Sequence, residues 1–134
     1  MSIYDKHYRQ ENLFGQPYPE FVAFMDAWEP KGTVLAVGCG DALFLAELGY
    51  EVTGIDASQL GISQMLAAAK TRQLKLTGIV ADFFSYEFNQ LYDVIVLDSI
   101  LHFQKKDLQK ELALLQTLTA RLNCDGLICL FIHQ

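Results

Sequence analysis

The stretch TVLAVGCGDALFLAELGYEVTGID, Thr33 to Asp56, decides how the rest of the chain is read. An apolar run leads into Gly38-Cys39-Gly40, an amphipathic segment follows, and a second apolar run closes on Asp56. Glycine lets the main chain turn sharply and admits a ligand where a side chain would block it. In a strand, loop, helix, strand unit, an acid ending the second strand lies beside that loop, placed to accept both hydroxyl protons of a ribose. The glycines alone fit a simple tight turn. Joined to Asp56 they mark one edge of a sheet as a nucleoside platform. A dinucleotide fingerprint would need Gly-x-Gly-x-x-Gly, and its last position here is Leu43.

Outward from this unit, short β-rich runs alternate with helical patterns, the signature of parallel strands joined by crossover helices. The strand candidates are TVLAV, EVTGI, LTGIV, YDVIVL and GLICLF, apolar enough to be covered on both faces. Ser58 is placed to N-cap the helix QLGISQMLAAAK, with Leu60, Met65, Leu66 and Ala69 on one face. KKDLQKELALLQTLTARL reads as the longest helix, with Leu108, Leu112, Leu115, Thr119 and Leu122 as its core stripe. Lys106, Lys110, Glu111 and Arg121 read as its solvated face.

The first thirty residues differ. They are aromatic and polar, hold all three prolines, and read as a lid segment over a single domain spanning 1–134. Within them PEFVAFMDAW has Pro19 at a first helical turn, with Phe21, Phe24, Met25 and Trp28 able to cover a sheet.

Composition narrows the partners. A net charge of −6 with ten scattered Lys and Arg argues against a nucleic-acid surface. Cys39, Cys124 and Cys129 form no CxxC pair and no cluster at metal spacing, so they read as free thiols and no metal is expected. No apolar run is long enough to span a bilayer, which points to a cytoplasmic protein without a membrane partner.

The ordered motifs from Thr33 to Phe131 resemble class I S-adenosylmethionine-dependent methyltransferases. VLAVGCGDA with EVTGID is similar to the family's first motif and its acidic second strand. VADFF, YDVIVLDSILHF and LTARLNCDGLICLF are similar to the motifs that follow. The resemblance implies an α/β fold: a Rossmann-like, doubly wound parallel sheet of strand order 3-2-1-4-5 with helices on both faces. It implies S-adenosyl-L-methionine as cofactor, held by Gly38, Cys39, Gly40, Asp56, Ala57, Asp82, Phe83 and Asp98. Asp82 would meet the adenine amino group and Phe83 its ring. The N-terminal YDKHYRQENLFGQPYPEFV is similar to the tellurite-resistance and thiopurine-methylating type. There Tyr8 and Arg9 would close over the methionine end of the cofactor.

The implied reaction is methyl transfer to a small-molecule acceptor, which asks mainly for positioning. His102 is the best base by its ordinary titration range, with Asp98 and Ser99 beside it, although such a histidine more often packs a helix. Tyr4, Tyr8 and Phe103 are candidate acceptor contacts. The chain departs from the family at Ala36, where an acid is usual, and at Ala42, where a third glycine is usual. A methyl at 42 is expected to narrow the approach to the methionine portion. The helix after the loop reads one turn short, and the strand hairpin usual after the fifth strand is lacking. The edge of GLICLF is therefore expected to pair with a second copy in a homodimer. Two rival readings are an impaired nucleoside-binding module or truncated methyltransferase domain, and a nicotinamide-dependent oxidoreductase.

Overall fold

A computed structural model describes residues 18–38 and 40–132. Tyr4, Tyr8, Arg9 and Cys39 lie outside the described residues. The chain order is α1 (Pro19–Ala27), β1 (Thr33–Val37), α2 (Ala42–Glu47), β2 (Glu51–Asp56), α3 (Gln59–Thr71), β3 (Leu76–Val80), β4 (Tyr92–Asp98), α4 (Leu108–Thr119) and β5 (Leu122–Phe131), with a 3-10 turn at Lys105–Asp107. The five strands are parallel in the order β3-β2-β1-β4-β5. The step from β1 to β4 at the centre reverses the direction of winding, and ligand crevices of open α/β sheets form at the strand tips there.

Alternation along β1 splits the core. Val34 and Ala36 join α1, α2 and α3 on one face, whereas Leu35 and Val37 join α4 and the β3–β4 connection on the other. Both faces are thus covered, which is why the central strands carry almost no polar residues. α1 is anchored to the first face by Phe21 and Met25, both buried. The Phe21 ring meets Phe44 and Phe131 edge-on. The Lys31 ammonium donates to the carbonyls of Met25 at 3.2 Å and Trp28 at 2.6 Å, satisfying acceptors that the end of α1 leaves open.

Ser58 caps α3, its Oγ accepting from the Gly61 N–H at 3.0 Å. The buried face of α3 is Gly61, Ile62, Met65 and Ala69, so Leu66, at 36% exposure, falls outside it. α3, at 13 residues, is also longer than α4, at 12, because Leu122 already belongs to β5.

The core stripe expected on α4 is corrected. Leu108 and Leu112 are 38% and 44% exposed, while Glu111, Leu114 and Leu118 are buried. The helix is turned so that Glu111 reaches the loop after β4. The turn expected at Asn123-Cys124-Asp125-Gly126 is also corrected, since these residues lie within β5. The strand absorbs them as an irregularity. Leu122 pairs with Tyr92 and Leu127 with Val94, so extra residues bulge out between, and Asp125 adopts φ +63°.

At the end of the sheet where β1 and β4 begin, Asp93 ties three elements together. Its Oδ2 accepts from the Thr33 N–H at 2.9 Å, and its Oδ1 accepts from Asn123 Nδ2 at 2.9 Å. These donors, the Thr33 amide first, hold the Asp93 carboxyl below its ordinary range. Among the described residues no helix is long and apolar enough to cross a membrane.

Candidate active site

The opposite end of the sheet gathers most of the residues singled out from sequence. After β1 the chain turns at Gly38, φ +83°, and its N–H donates to the Ile55 carbonyl at 2.7 Å, fastening the loop to β2. A side chain at Gly40 would meet nothing within 4 Å, so this part of the loop borders open space. Asp56, at the tip of β2, is 3% exposed, and its Oδ1 accepts the Ser58 N–H at 3.0 Å. Ala57, between them, is exposed. Asp82 follows β3 and is exposed, its Oδ1 accepting from the Phe84 N–H at 3.0 Å. Phe83 is 5% exposed and belongs to the core cluster under α4, so its ring packs protein, with Phe84 beside it at 5.0 Å.

Asp98 ends β4, with Ser99 next to it donating from Oγ to Asp98 Oδ1 at 3.0 Å. The second partner of Asp98 is Asp41, the residue that opens α2. Asp41 is 6% exposed, and its carboxyl is hydrogen-bonded to that of Asp98. Burial, then this hydrogen bond, then the charge of Asp98 push Asp41 up to about 8, so it keeps its proton at neutral pH. On the same side, burial and then the charge of Asp41 push the Cys129 thiol up to about 11. Cys129 is therefore an inert thiol. No local signal around Asp41 announces its pairing with a residue at the end of β4.

Glu111 is the second residue that sequence reasoning missed. At 3% exposure, its Oε2 accepts the N–H of His102 and the N–H of Phe103, each at 2.9 Å. The loop it grips is bent, with Ser99 at φ +61° and Phe103 at φ +55°, and Leu101 is its buried anchor. His102 itself is exposed at the tip side, and Phe103 is half-buried. A usable signal existed in the period, since Glu111, Leu114 and Leu118 also share a helix face.

Ala36 and Ala42 are 1% and 0% exposed, inside the first core cluster. A Cβ added at Gly54 of β2 would lie 3.6 Å from the Ala42 Cβ. Met65 fills the space over Gly54, its Sδ 2.9 Å from such a Cβ, and the fully buried Ala42 methyl packs beside it toward the sheet, so the expected narrowing of the ligand approach is corrected. α2 runs only from Ala42 to Glu47, the short helix expected from sequence.

The fold, a parallel sheet of order β3-β2-β1-β4-β5, is that of class I S-adenosylmethionine-dependent methyltransferases. A family described as a methyltransferase domain matches residues 34–126, and the chain belongs to it. It is 31% identical over 101 residues to a 2-heptyl-1-hydroxyquinolin-4(1H)-one methyltransferase of Mycobacteroides abscessus, covering 72% of this chain and 44% of that protein. It is 37% identical over 78 residues to a ubiquinone biosynthesis O-methyltransferase of Rickettsia canadensis, covering 55% of this chain and 33% of that protein. The chain therefore spans less than half the length of these relatives. Its fold is similar to that of the N-methyltransferase NodS from Bradyrhizobium japonicum, solved with S-adenosyl-L-homocysteine. The TM-score is 0.74 at 17% identity, over 92% of this chain and 68% of that one.

Proposed function

We propose that this domain binds S-adenosylmethionine at the strand tips and serves methyl transfer to a small-molecule acceptor. The observation that carries the reading is the conjunction, on one edge, of the Gly38–Gly40 loop, the buried Asp56 at the tip of β2 and Asp98 at the tip of β4. The residues fit such a group. Asp56 is a carboxylate where a ribose needs an acceptor, Gly40 leaves the loop open, and Asp82 lies at the neighbouring tip for the adenine.

The cofactor supplies an electrophilic methyl group on a sulfonium. What remains for the protein is orientation and exclusion of water, worth up to about 7–11 kcal/mol where alignment is good. Asp56 would hold the nucleoside, the β4 tip would form the opposite wall, and the loop held by Glu111 would carry the exposed His102 beside the acceptor. His102 would take the acceptor's proton where the acceptor keeps one at neutral pH. The name of one relative, a ubiquinone biosynthesis O-methyltransferase, favours an oxygen acceptor.

Calorimetric titration with S-adenosylmethionine, S-adenosylhomocysteine and NAD tests this reading. Binding of the first two with no NAD heat is expected. Binding of NAD alone would overturn it in favour of the oxidoreductase. We also propose that copies associate through β5, which lies at the sheet edge with Leu130 at 36% exposure and Ile132, just after the strand, at 48%. Light scattering across a dilution series is expected to show a concentration-dependent dimer, and a constant monomer mass would remove that proposal.

A further inference from the structure

A carboxylate on the buried stripe of a helix is out of place unless donors meet it, because burial opposes its charge. Glu111 shares that stripe of α4 with Leu114 and Leu118, and the donors it meets are two consecutive amides, those of His102 and Phe103, on a single oxygen. The loop so gripped touches the cofactor loop as well. Ile100 lies over the turn after β1, where a Cβ added at Gly38 would come 3.3 Å from the Ile100 Cδ1. Ser99 donates its N–H to the Phe131 carbonyl at 2.9 Å, Leu101 is fully buried, and the Gln104 carbonyl accepts from the Asp107 N–H at 2.9 Å. Resting on the proposed function, we infer that Glu111 is a positioning residue for methyl transfer. By fixing residues 99–104 it keeps Ile100 on the Gly38 turn and sets His102 beside the sulfonium, while adding nothing to cofactor affinity.

The backbone of the loop explains why a carboxylate is needed there. Ser99 at φ +61° and Phe103 at φ +55° occupy the left-handed region, which is costly for a side chain as bulky as phenylalanine. Such a conformation persists only where its surroundings over-determine it. Between the two kinks the side chains diverge: Ile100 and Phe103 pack on the second core cluster, Leu101 enters it, and His102 is exposed. A charged acceptor makes stronger hydrogen bonds than a neutral one, and one oxygen shared by neighbouring amides sets both peptide planes together. An apolar residue at 111 would complete the leucine stripe, yet it would leave both amides unbonded and the kinks free to relax. The helix would tolerate it and the loop would not. A shift of about 1 Å at a reacting group can cost about 100-fold in rate. The groups assigned to the cofactor are fastened by other bonds, Gly38 to the Ile55 carbonyl and Asp56 to the Ser58 N–H, so affinity for it does not depend on Glu111.

The test is NMR of the chain with carbon-13 in its histidine rings, at about pH 8.5 where an ordinary imidazole is neutral. Spectra are compared between the complexes with S-adenosylmethionine and with S-adenosylhomocysteine. The two ligands differ by the methyl group and the positive charge of the sulfonium, so a ring set beside the sulfur gives a different signal in each. The signal missing from His102→Gln assigns the ring. The wild type is expected to show two distinct His102 positions, and Glu111→Gln, which keeps an oxygen for both amides, is expected to keep them. Glu111→Met, of similar length without that oxygen, is expected to merge them and to speed exchange of the His102 and Phe103 amides at least about tenfold relative to the β4 amides. Its affinity for S-adenosylmethionine is expected to stay within about threefold of the wild type. Glu111→Leu is the second apolar variant, and whichever of the two folds is read. Coincident signals in the wild type, a difference that persists in the apolar variant, its loss in Glu111→Gln, or binding weakened about tenfold or more in the apolar variant would each overturn the inference and leave the proposed function standing. Failure of both ligands to bind the wild type would overturn both.

Discussion

Asp93 and Asp41 lie at opposite ends of the same sheet and show what each end is for. Where β1 and β4 begin, Asp93 is surrounded by donors from Thr33 and Asn123, and its carboxyl is held below the ordinary range. Where they finish, Asp41 is buried against Asp98 and is pushed up to about 8. The first arrangement uses a charge to join strands and stabilises the fold. The second costs stability and persists at the edge where a ligand is expected to arrive. A carboxyl whose hydrogen bonds are completed by donors keeps its charge, whereas one buried against a second carboxyl keeps its proton.

The comparison can be broken by mutation, the largest effects coming from groups whose loss strands buried donors. Glu111→Ala leaves the His102 and Phe103 amides without their acceptor and is expected to destabilise the chain by about 3 kcal/mol, read by urea unfolding. A loss under about 1 kcal/mol would show that water replaces the carboxylate and that the loop is not held by it. Asp93→Ala is expected to cost about 2 kcal/mol at pH 7. Because its folded pKa is depressed, its contribution is present above the ordinary carboxylate range and is lost as pH falls below about 4. The variant and the wild type should therefore converge in acid, and a constant gap would contradict the assignment.

Asp41 has the opposite sign. Its folded pKa is raised, so the folded chain binds more protons than the unfolded chain between about pH 4 and about 8, and stability declines across that window. Asp41→Asn removes the titration and is expected to raise stability by about 1–2 kcal/mol at pH 8.5, with little change at pH 4. Thermal melts at the two pH values decide this, and a destabilised variant at pH 8.5 would mean the charged carboxyl is welcome in the free protein. The smallest effect is expected at Ala42. Ala42→Gly removes a fully buried methyl and adds backbone freedom at the start of α2, for a loss of about 1 kcal/mol. Tighter cofactor binding by this variant would restore the expectation that the methyl narrows the site.

The fold was legible because strands covered on both faces must be apolar throughout, and the five runs stand out between polar turns. The loop and Asp56 were legible for a similar reason, since a close backbone approach needs glycine and a ribose needs an acceptor. α4 was harder. Its sequence offers leucines on two faces, and the choice between them was made by the Glu111 bonds to a loop several residues earlier. The residues Asn123-Cys124-Asp125-Gly126 have turn composition, and only pairing with β4 reveals a bulge within a strand. Asp41 carried no signal of its own, because it stands at the N-cap of a short helix while its partner ends a strand far along the chain, and such a contact leaves no periodic trace.

The claim that one end of the sheet binds while the other builds is tested most directly by the S-adenosylmethionine affinity of two variants, Asp56→Ala and Asp93→Ala, measured by calorimetry where both are fully folded. Asp56→Ala is expected to lose about 1.5–3 kcal/mol of binding, roughly 10- to 150-fold in Kd, because a charged hydrogen-bond acceptor is gone. Asp93→Ala is expected to stay within about twofold of the wild type despite its lower stability. An unchanged Kd for Asp56→Ala, or an equal loss in both variants, would contradict the account.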